Sequence, residues 1–407
     1  MRKTNGPRTA GKGGDQTSTD MERKMGLNIK WLAASAAGAM MIAAMPVAGW
    51  AKDSYRVAVI RWDPADIYFN GVELGQELER QRLEKEKGVK IEFSVFGAND
   101  VSAQRNALDA QLARGVDGVL LVPWRGEAMT GIVKQMRDDN IPVVTSNAWV
   151  PGAPQTFVAF DNEEAGRKGG EALVARLNKL RGENWPEKGG VVIELRCIIT
   201  ASFDIGRHTG YRSVFDPIAA KYPNVKIEER EAGCDGGQAR KAVDDIISRY
   251  GGENVLAVAS IDGTMGIGGA VPAFEAQGLL HPMDDPKHIP ISTVDGTVPE
   301  LQAVARGQLD HISVQPATGE GILSMRLLFD MMESGKIMEK PAAETTIMSD
   351  TKELWAPVQV IPSTEFDGAW YKTKTYGIPE DVKYDDPLNW ANQMHQQENG
   401  KLPDFGQ

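Results

Sequence analysis

Polar, charged and aromatic side chains follow several short apolar stretches of the sequence, where strands are predicted to end. The stretch VDGVLLVP (116–123) is typical of a strand buried on both faces, and Trp124 and Arg125 follow it directly. In open parallel sheets, ligands bind outside the carboxyl ends of the strands. The sequence therefore predicts a ligand site at these ends, formed by Trp62, Asp66, Tyr68, Phe69, Trp124, Arg125, Asn147, Arg207, Asp262, Asp295 and Gln315.

This mixture of side chains suits a sugar or a polyol. The apolar C–H face of a sugar ring stacks on aromatic rings, and its hydroxyls pair with carboxylate acceptors and with the donors of Arg, Asn and Gln. A polar group left unpaired in such a buried site costs about 1–3 kcal/mol, which gives the site its specificity. We accordingly expect Arg207→Ala to weaken binding by about 2–3 kcal/mol, with little effect on folding.

Some candidates also have a purely structural interpretation. A tryptophan at a strand end is often a packing residue, although Trp62 and Trp124 follow strands that are predicted to be near neighbours. Asp262, followed by Gly263 and Thr264, stands where a helix N-cap is expected. Both interpretations stay open for these residues.

The sequence lacks the common motifs of catalysis and cofactor binding. The glycines of GTMGIGGA (263–270) do not fit the dinucleotide pattern G-x-G-x-x-G, and no G-x-S-x-G, H-E-x-x-H or P-loop pattern occurs. Two cysteines and five scattered histidines do not have the spacing of a metal site. We predict neither a cofactor nor a metal.

The elements that must position the site alternate between strand and helix. This alternation predicts parallel sheets with helices on both faces, and more than ten strands are too many for one comfortable twisted sheet. We therefore expect two similar lobes with a cleft between them. The predicted strands are 55–61, 89–97, 116–123, 141–147, 156–162, 189–197, 225–233, 254–262, 289–296, 309–316 and 356–363.

The N-terminal residues have the pattern of a secretory signal peptide. A polar leader is followed by MERKMGLNIK (21–30) and by the apolar run WLAASAAGAMMIAAMPVAGWA (31–51), with a cleavage site after about Ala51. Translation from Met21 or Met25 is an alternative start, and a transmembrane anchor is the alternative to cleavage. The pattern predicts an exported protein.

Charge and cysteine content limit the partners and the compartment. The net charge of -11 argues against nucleic acid, because a nucleic-acid binder needs a basic surface. Cys197 and Cys234 end two consecutive predicted strands, and an oxidising compartment permits a bridge between them. A disulfide and two free buried thiols are equally compatible with the sequence.

Eight segments in order resemble the periplasmic sugar-binding proteins of the ribose-binding type, which are substrate receptors of ABC importers. The resemblance covers roughly residues 55–365 and implies the type I periplasmic binding protein fold, an α/β fold with two Rossmann-like lobes and a three-crossing hinge that closes over the ligand. The segments are DIYFNGVELG, VDGVLLVP, NIPVVTSN, VAFDNEEAGRKGGE, GRHTGYRSVFD, VASIDG, TVDGT and ISVQP.

The resemblance also implies the domain organisation. The expected units are a leader and signal peptide (1–51), an N-terminal lobe (52–160 plus 316–355), a C-terminal lobe (161–315 plus 356–376) and a C-terminal tail (377–407) that wraps the surface or is loose.

Within the family pattern, several residues occupy the positions of known sugar contacts. In the N-terminal lobe, Asp66 stands where the family usually has Asn, and Asn147 stands where Asp is common. Arg207 matches a hydroxyl-binding arginine, and Asp295 and Gln315 match an Asp and a Gln of the C-terminal lobe and hinge. Tyr68 and Phe69 match the aromatic pair of the family.

Departures from the family pattern make the pocket more aromatic and poorer in amides. Val122 and Ile261 occupy places where the ribose binder has Asn, Phe160 replaces a frequent small polar residue, and Trp124 and Arg125 are additions. These departures argue against ribose itself as the ligand.

The resemblance implies a monomeric periplasmic receptor that passes a small sugar or polyol to an ABC transporter permease. A sensory receptor that docks onto a chemoreceptor or sensor kinase is one alternative. A glycosidase using Asp66 and Asp295 is a much weaker one, and we expect no enzyme activity. Arg61, Arg125 and Arg196 leave an acidic or phosphorylated sugar open as the ligand.

Overall fold

The computed structural model of the chain describes residues 52–62, 64–337, 339–347 and 357–406, so the predicted signal peptide lies outside the described residues. Within the described ranges, no helix is long and apolar enough to cross a membrane. The strands are β1 (Ser54–Arg61), β2 (Lys90–Gly97), β3 (Gly118–Leu121), β4 (Val143–Ser146), β5 (Pro154–Phe160), β6 (Gly190–Arg196), β7 (Val225–Glu231), β8 (Val255–Ser260), β9 (Ile291–Asp295), β10 (His311–Val314), β11 (Thr345–Ile347), β12 (Val358–Pro362), β13 (Asp367–Thr373) and β14 (Tyr376–Ile378).

The helices alternate with the strands over most of the chain, as the sequence predicts. They are α1 (Ile67–Lys87), α2 (Val101–Ala113), α3 (Gly126–Asp138), α4 (Asn162–Arg181), α5 (Trp185–Lys188), α6 (Ser202–Lys221), α7 (Gly236–Tyr250), α8 (Gly263–Met265), α9 (Val271–Ala276), α10 (Val298–Ala305), α11 (Ala317–Ser334) and α12 (Trp390–Asn399).

Two sheets form the two lobes. The first sheet has the order β11-β12-β13-β5-β4-β3-β1-β2, and the second has the order β14-β10-β9-β8-β6-β7. The strands from β1 to β5 pair in parallel, as do those from β6 to β10, while β11, β12 and β14 add antiparallel pairs. This arrangement confirms the predicted α/β fold with two lobes.

The boundary between the lobes near the C-terminus differs from the expected one. Residues 356–376 were expected in the C-terminal lobe, but β12 and β13 belong to the first sheet, where β13 pairs in parallel with β5. Val360 and Tyr371 from these strands are buried in the core of the first lobe, and this burial fixes the pairing. The chain therefore crosses between the lobes after β5, after β10 and, for the third time, after β13.

Close packing of two helices in the second lobe depends on glycine. A Cβ atom on Gly166 of α4 would lie 1.9 Å from the carbonyl oxygen of Arg207 in α6, and one on Gly210 would lie 2.1 Å from the carbonyl oxygen of Glu163. Backbone therefore lies directly against backbone, and this contact sets the position of Arg207.

Cys197 and Cys234 form a disulfide, with their Cα atoms 4.4 Å apart. The bridge joins the residue after β6 to the loop between β7 and α7, and it decides between the two alternatives that the sequence leaves open. The bridge also fixes the end of β6. This end lies beside the predicted site, since the two sulfurs are within 4.8 Å of a carboxylate oxygen of Asp262.

Candidate ligand-binding site

The two lobes touch across the cleft. The guanidinium Nη1 of Arg125 donates to the hydroxyl of Thr200 at 3.3 Å, and the backbone N–H of Trp149 donates to the hydroxyl of Ser202 at 3.2 Å. Arg125 and Trp149 belong to the first lobe, whereas Thr200 and Ser202 belong to the second. The two lobes are therefore closed onto each other at the segments that follow β3, β4 and β6.

Arg207 forms the centre of the hydrogen-bond network at the hinge. Its Nε donates to Oδ1 of Asn162 at 2.8 Å, its Nη1 to the carbonyl of Ile261 at 2.7 Å, and its Nη2 to Oε1 of Gln315 at 2.7 Å. Oδ1 of Asp295 lies 3.6 Å from Nη1. Arg207 is 2% exposed, so the network holds a buried cation in one geometry.

An aromatic cluster lies beside this network. The ring centroid of Trp62 lies 4.9 Å from that of Phe69, 4.6 Å from that of Trp124 and 5.8 Å from that of Phe203. The guanidinium carbon of Arg207 lies 5.3 Å from the centroid of Phe203. The cluster combines residues of both lobes and places apolar rings beside the hydrogen-bond network of Arg207.

Three carboxylates come from helix and strand ends of both lobes. Asp66 caps α1 by accepting the backbone N–H of Tyr68 at 3.0 Å, and Asp262 caps α8 by accepting that of Met265 at 2.7 Å. Oδ2 of Asp295 accepts the backbone N–H of Gly263 at 3.2 Å. The N-cap interpretation of Asp262 is thus correct, and the cap places its carboxylate beside the other two.

The proximity of these carboxylates shows in their pKa values. Burial, aided by the negative charge of Asp66 and opposed by the hydrogen bond from the N–H of Met265, raises the pKa of Asp262 to about 7. Burial also raises the pKa of Asp295 well above its ordinary value; the guanidinium of Arg207 opposes this shift, while Glu300 adds to it. The site therefore carries more acidic groups than the single central cation balances.

Glu320 at the start of α11 was missed by the sequence analysis. Its carboxylate accepts hydrogen bonds from the hydroxyl of Tyr68 at 2.7 Å, Nε2 of Gln315 at 3.0 Å and the hydroxyl of Thr373 at 2.9 Å. Burial raises its pKa to about 7, although these hydrogen bonds oppose the shift. Glu320 thereby connects α1, the segment after β10 and the end of β13. The hydroxyl of Tyr68 donates its proton to this carboxylate.

Asn147 has the properties of a ligand contact. It is 4% exposed and has a φ of 63°, a left-handed conformation that Asn tolerates better than most residues. Its side-chain amide has no hydrogen-bond partner in the part of the chain that the structure describes. The amide is thus available to a ligand.

Two of the three arginines that suggested an acidic ligand are paired within their own lobes. Arg61 forms an ion pair with Glu73 at 2.5 Å. Arg196 pairs with Asp204 and, at 2.8 Å, with Glu229. The structure thus removes the support that Arg61 and Arg196 gave to a phosphorylated or acidic sugar, and only Arg125 remains, at the contact between the lobes.

Potential metal ligands cluster at two places among the described residues, and one set contains the disulfide sulfurs, which are not thiolates. In the other, Glu194, His208 and Glu229 each offer a ligand atom within 4.8 Å of the others. Nη1 of Arg196 contacts Glu229 at 2.8 Å, and Nη1 of Arg212 lies 3.8 Å from Glu194. These arginines already neutralise the carboxylates, so we assign no metal there.

Two α/β lobes, three crossings and a polar site at the hinge define a class of proteins that enclose a small ligand by closure of a cleft. The family model described as "periplasmic binding protein domain" matches residues 57–337. The chain therefore belongs to the periplasmic binding protein family.

Individual relatives agree with this assignment. The chain is 28% identical to the xylitol-binding protein of Mycolicibacterium smegmatis over 66% of this chain and 70% of the relative. It is 24% identical to the D-xylose-binding periplasmic protein of Escherichia coli over 66% and 74%. Among solved structures, the Caulobacter myo-inositol binding protein has a TM-score of 0.62 at 19% identity, over 84% of this chain and 97% of that one, which supports the fold.

The raised pKa of Asp262 makes stability depend on pH. A folded-state pKa of about 7 lies above the ordinary 3.8, so the folded protein binds more protons than the unfolded chain between these values, and the free energy of unfolding falls as pH rises through this window. Asp262→Asn keeps a side-chain oxygen that caps the helix and removes the titrating carboxyl group. Relative to wild type, we expect the variant to gain about 2 kcal/mol more at pH 8 than at pH 5 in urea unfolding.

Asp235→Asn is the matched control for this prediction, because Asp235 is also an N-cap but is exposed. The difference in free energy of unfolding between D235N and wild type should be similar at pH 5 and pH 8. Equal effects of D262N at pH 5 and pH 8 would show that the Asp262 carboxyl does not titrate in this window.

Proposed function

We propose that this protein captures a neutral sugar or polyol in the cleft between its lobes and delivers it to the permease of an ABC importer. The observation that carries the proposal is the composition of the site. Asp66, Asp262 and Asp295 lie around one central cation, Arg207, next to the aromatic cluster of Trp62.

This composition favours a ligand with many hydroxyl groups and no negative charge. Ligand hydroxyls donate to an ionised carboxylate and accept from a protonated carboxyl group, so all three groups can pair with a neutral ligand, whereas an anion is repelled by those that are ionised. Three of the five N–H donors of Arg207 are engaged by Asn162, Ile261 and Gln315 in the described part of the chain, which leaves two for ligand oxygens.

The relatives support the same ligand class. Their names record binding of xylitol, D-xylose, ribose and galactofuranose, all polyhydroxylated and uncharged. The sensory alternative gains no support from them. We propose export to the periplasm through the signal peptide predicted in residues 1–51, a monomeric state, and release of the ligand chemically unchanged.

A thermal-shift screen of the purified protein tests the proposal. The protein is first unfolded and refolded to remove any ligand that came through purification. It is then screened against xylitol, D-xylose, D-ribose and myo-inositol, and against xylonate and xylose 5-phosphate as charged analogues. A neutral compound that binds only the folded state raises the melting temperature.

We expect a clear shift with at least one neutral compound and none with the two anions. Recovery of that compound unchanged after long incubation should accompany the shift. A shift with the anions alone, or steady turnover of the compound, would overturn the proposal.

A further inference from the structure

The C-terminal strap, defined here as residues 376–406, lies beyond the segment that matches the family model and packs against the site. Its helix α12 begins with Trp390, which is 2% exposed. The indole N–H of Trp390 donates to the carbonyl oxygen of Asp295 at 3.0 Å, and its ring centroid lies 6.0 Å from that of Tyr68. Trp390 thus touches two of the predicted ligand-binding residues.

The strap is fastened to the second lobe. The strand β14 at its start pairs with β10 of the second sheet. Near its end, Nε2 of Gln302 in α10 donates to the carbonyl of Asp404 at 2.8 Å. Between these points, the side chain of Asn392 donates to the carbonyls of Tyr384 and Asp386, both at 2.9 Å, and holds the loop before α12.

From this base in the second lobe, Trp390 reaches into the first. A Cβ atom on Gly71 of α1 would lie 2.6 Å from two ring carbons of Trp390 and 3.0 Å from Cβ of Ala317, the first residue of α11. The indole therefore occupies space that the absent side chain of Gly71 provides, directly beside the second crossing. An opening motion that separates α1 from Asp295 must break either the packing of Trp390 on Gly71 or its hydrogen bond to Asp295.

The backbone of Asp295 needs such support. Its φ of 122° is unfavourable for a residue with a side chain. The carbonyl of Asp295 accepts the indole N–H of Trp390 and, at 3.3 Å, the backbone N–H of Gln315. Both hydrogen bonds fix the backbone carbonyl of Asp295 and so the position of its side chain. The donor of one of them, Trp390, belongs to the strap.

We propose that Trp390 is a positioning residue that fixes Asp295 for the ligand and holds the two lobes in the closed arrangement. The first half of this inference rests on the proposed function, whereas the second half does not require any ligand. The two halves can therefore be tested separately in the same variant.

The test compares Trp390→Phe with a matched control, Trp370→Phe. Trp370 in β13 also donates its indole N–H to a backbone carbonyl, that of Ala159 at 2.9 Å, but both residues belong to the first sheet. Small-angle scattering of the refolded, ligand-free proteins reports the opening of the lobes. Titration calorimetry with xylitol, D-xylose and myo-inositol reports affinity, and thermal melting reports stability.

We expect W390F without ligand to have a larger radius of gyration than wild type and W370F. For whichever of the three compounds binds wild type, W390F should bind about tenfold more weakly, and W370F should bind as wild type does. Trp390→Ala should extend both effects.

Equal scattering and equal affinity of W390F and W370F, with only a loss of melting temperature in each, would reduce Trp390 to a packing residue and overturn the inference. If none of the compounds binds wild type, the proposed ligand class fails. The scattering comparison still decides whether Trp390 holds the lobes together.

Discussion

Replacing Arg207 by alanine is expected to lower the free energy of unfolding by about 3–5 kcal/mol and to abolish binding of the neutral ligand. The substitution removes one partner of a buried charge pair and leaves Asp295 without its cation. It also leaves the side-chain oxygens of Asn162 and Gln315 and the carbonyl of Ile261 without their donor.

From the sequence alone, Arg207→Ala is expected to weaken binding and to leave folding almost unchanged. The structure adds a large loss of stability to that expectation. The difference arises because the sequence predicts a hydroxyl-binding arginine but does not show that the N–H groups of Arg207 hold Asn162, Ile261 and Gln315 together at the hinge. Arg212→Ala on the same helix is the control. Arg212 is partly exposed, pairs with Asp216 at 2.6 Å and lies 3.8 Å from the buried Glu194, which keeps its 2.7 Å contact with His208, so the loss of Arg212 should cost about 1 kcal/mol or less.

Urea unfolding of R207A and R212A, together with calorimetric titration of the ligand found in the thermal-shift screen, measures both effects. Arg207→Lys is a useful third variant, because it keeps the charge and loses the planar arrangement of donors. R207A that unfolds at the same urea concentration as R212A would contradict the structural role given to the network.

The second large effect is expected for Gly166→Ala. The added Cβ would lie 1.9 Å from the carbonyl oxygen of Arg207, so α4 and α6 must move apart. Overpacking of this kind costs about 1–3 kcal/mol or more. Because the displaced backbone is that of Arg207, ligand affinity should fall as well.

Gly131→Ala provides the control for the glycine prediction. Gly131 lies inside α3, and a Cβ there would meet no atom within 4 Å. The alanine should stabilise the helix by about 0.5–1 kcal/mol and leave affinity unchanged. Thermal melting and titration of both variants check the prediction, and a G166A variant as stable and as tight-binding as G131A would contradict the close packing of α4 and α6.

Local sequence patterns predict much of this architecture. Alternating apolar strands and amphipathic helices predict the two parallel sheets, and the rule that strand ends meet at one edge brings Asp262, Asp295 and Arg207 together. The segment DGAWYKT (367–373) was missed as a strand, because its pairing with β5 depends on a partner more than two hundred residues away. The error in the lobe boundary follows from that omission.

Contacts between elements, which the sequence does not show, also explain the errors at the site. Arg61 and Arg196 stand at strand ends, but carboxylates of neighbouring elements neutralise them, and the sequence alone does not reveal those partners. Glu320 and Trp390 were missed for the same reason. Each acts through contacts with residues far away in the chain, and neither stands directly at the end of a predicted strand.

Calorimetric titration of the refolded protein with xylitol and with xylonate measures whether the cleft selects a neutral ligand over an anionic one. The two compounds have the same carbon chain and differ by a carboxylate, so the comparison isolates the charge that Asp66, Asp262 and Asp295 should reject. We expect xylitol to bind at least 100-fold more tightly than xylonate, a difference of about 2.7 kcal/mol. Tighter binding of xylonate would contradict this expectation and would show that the cations of the cleft, not its carboxylates, select the ligand.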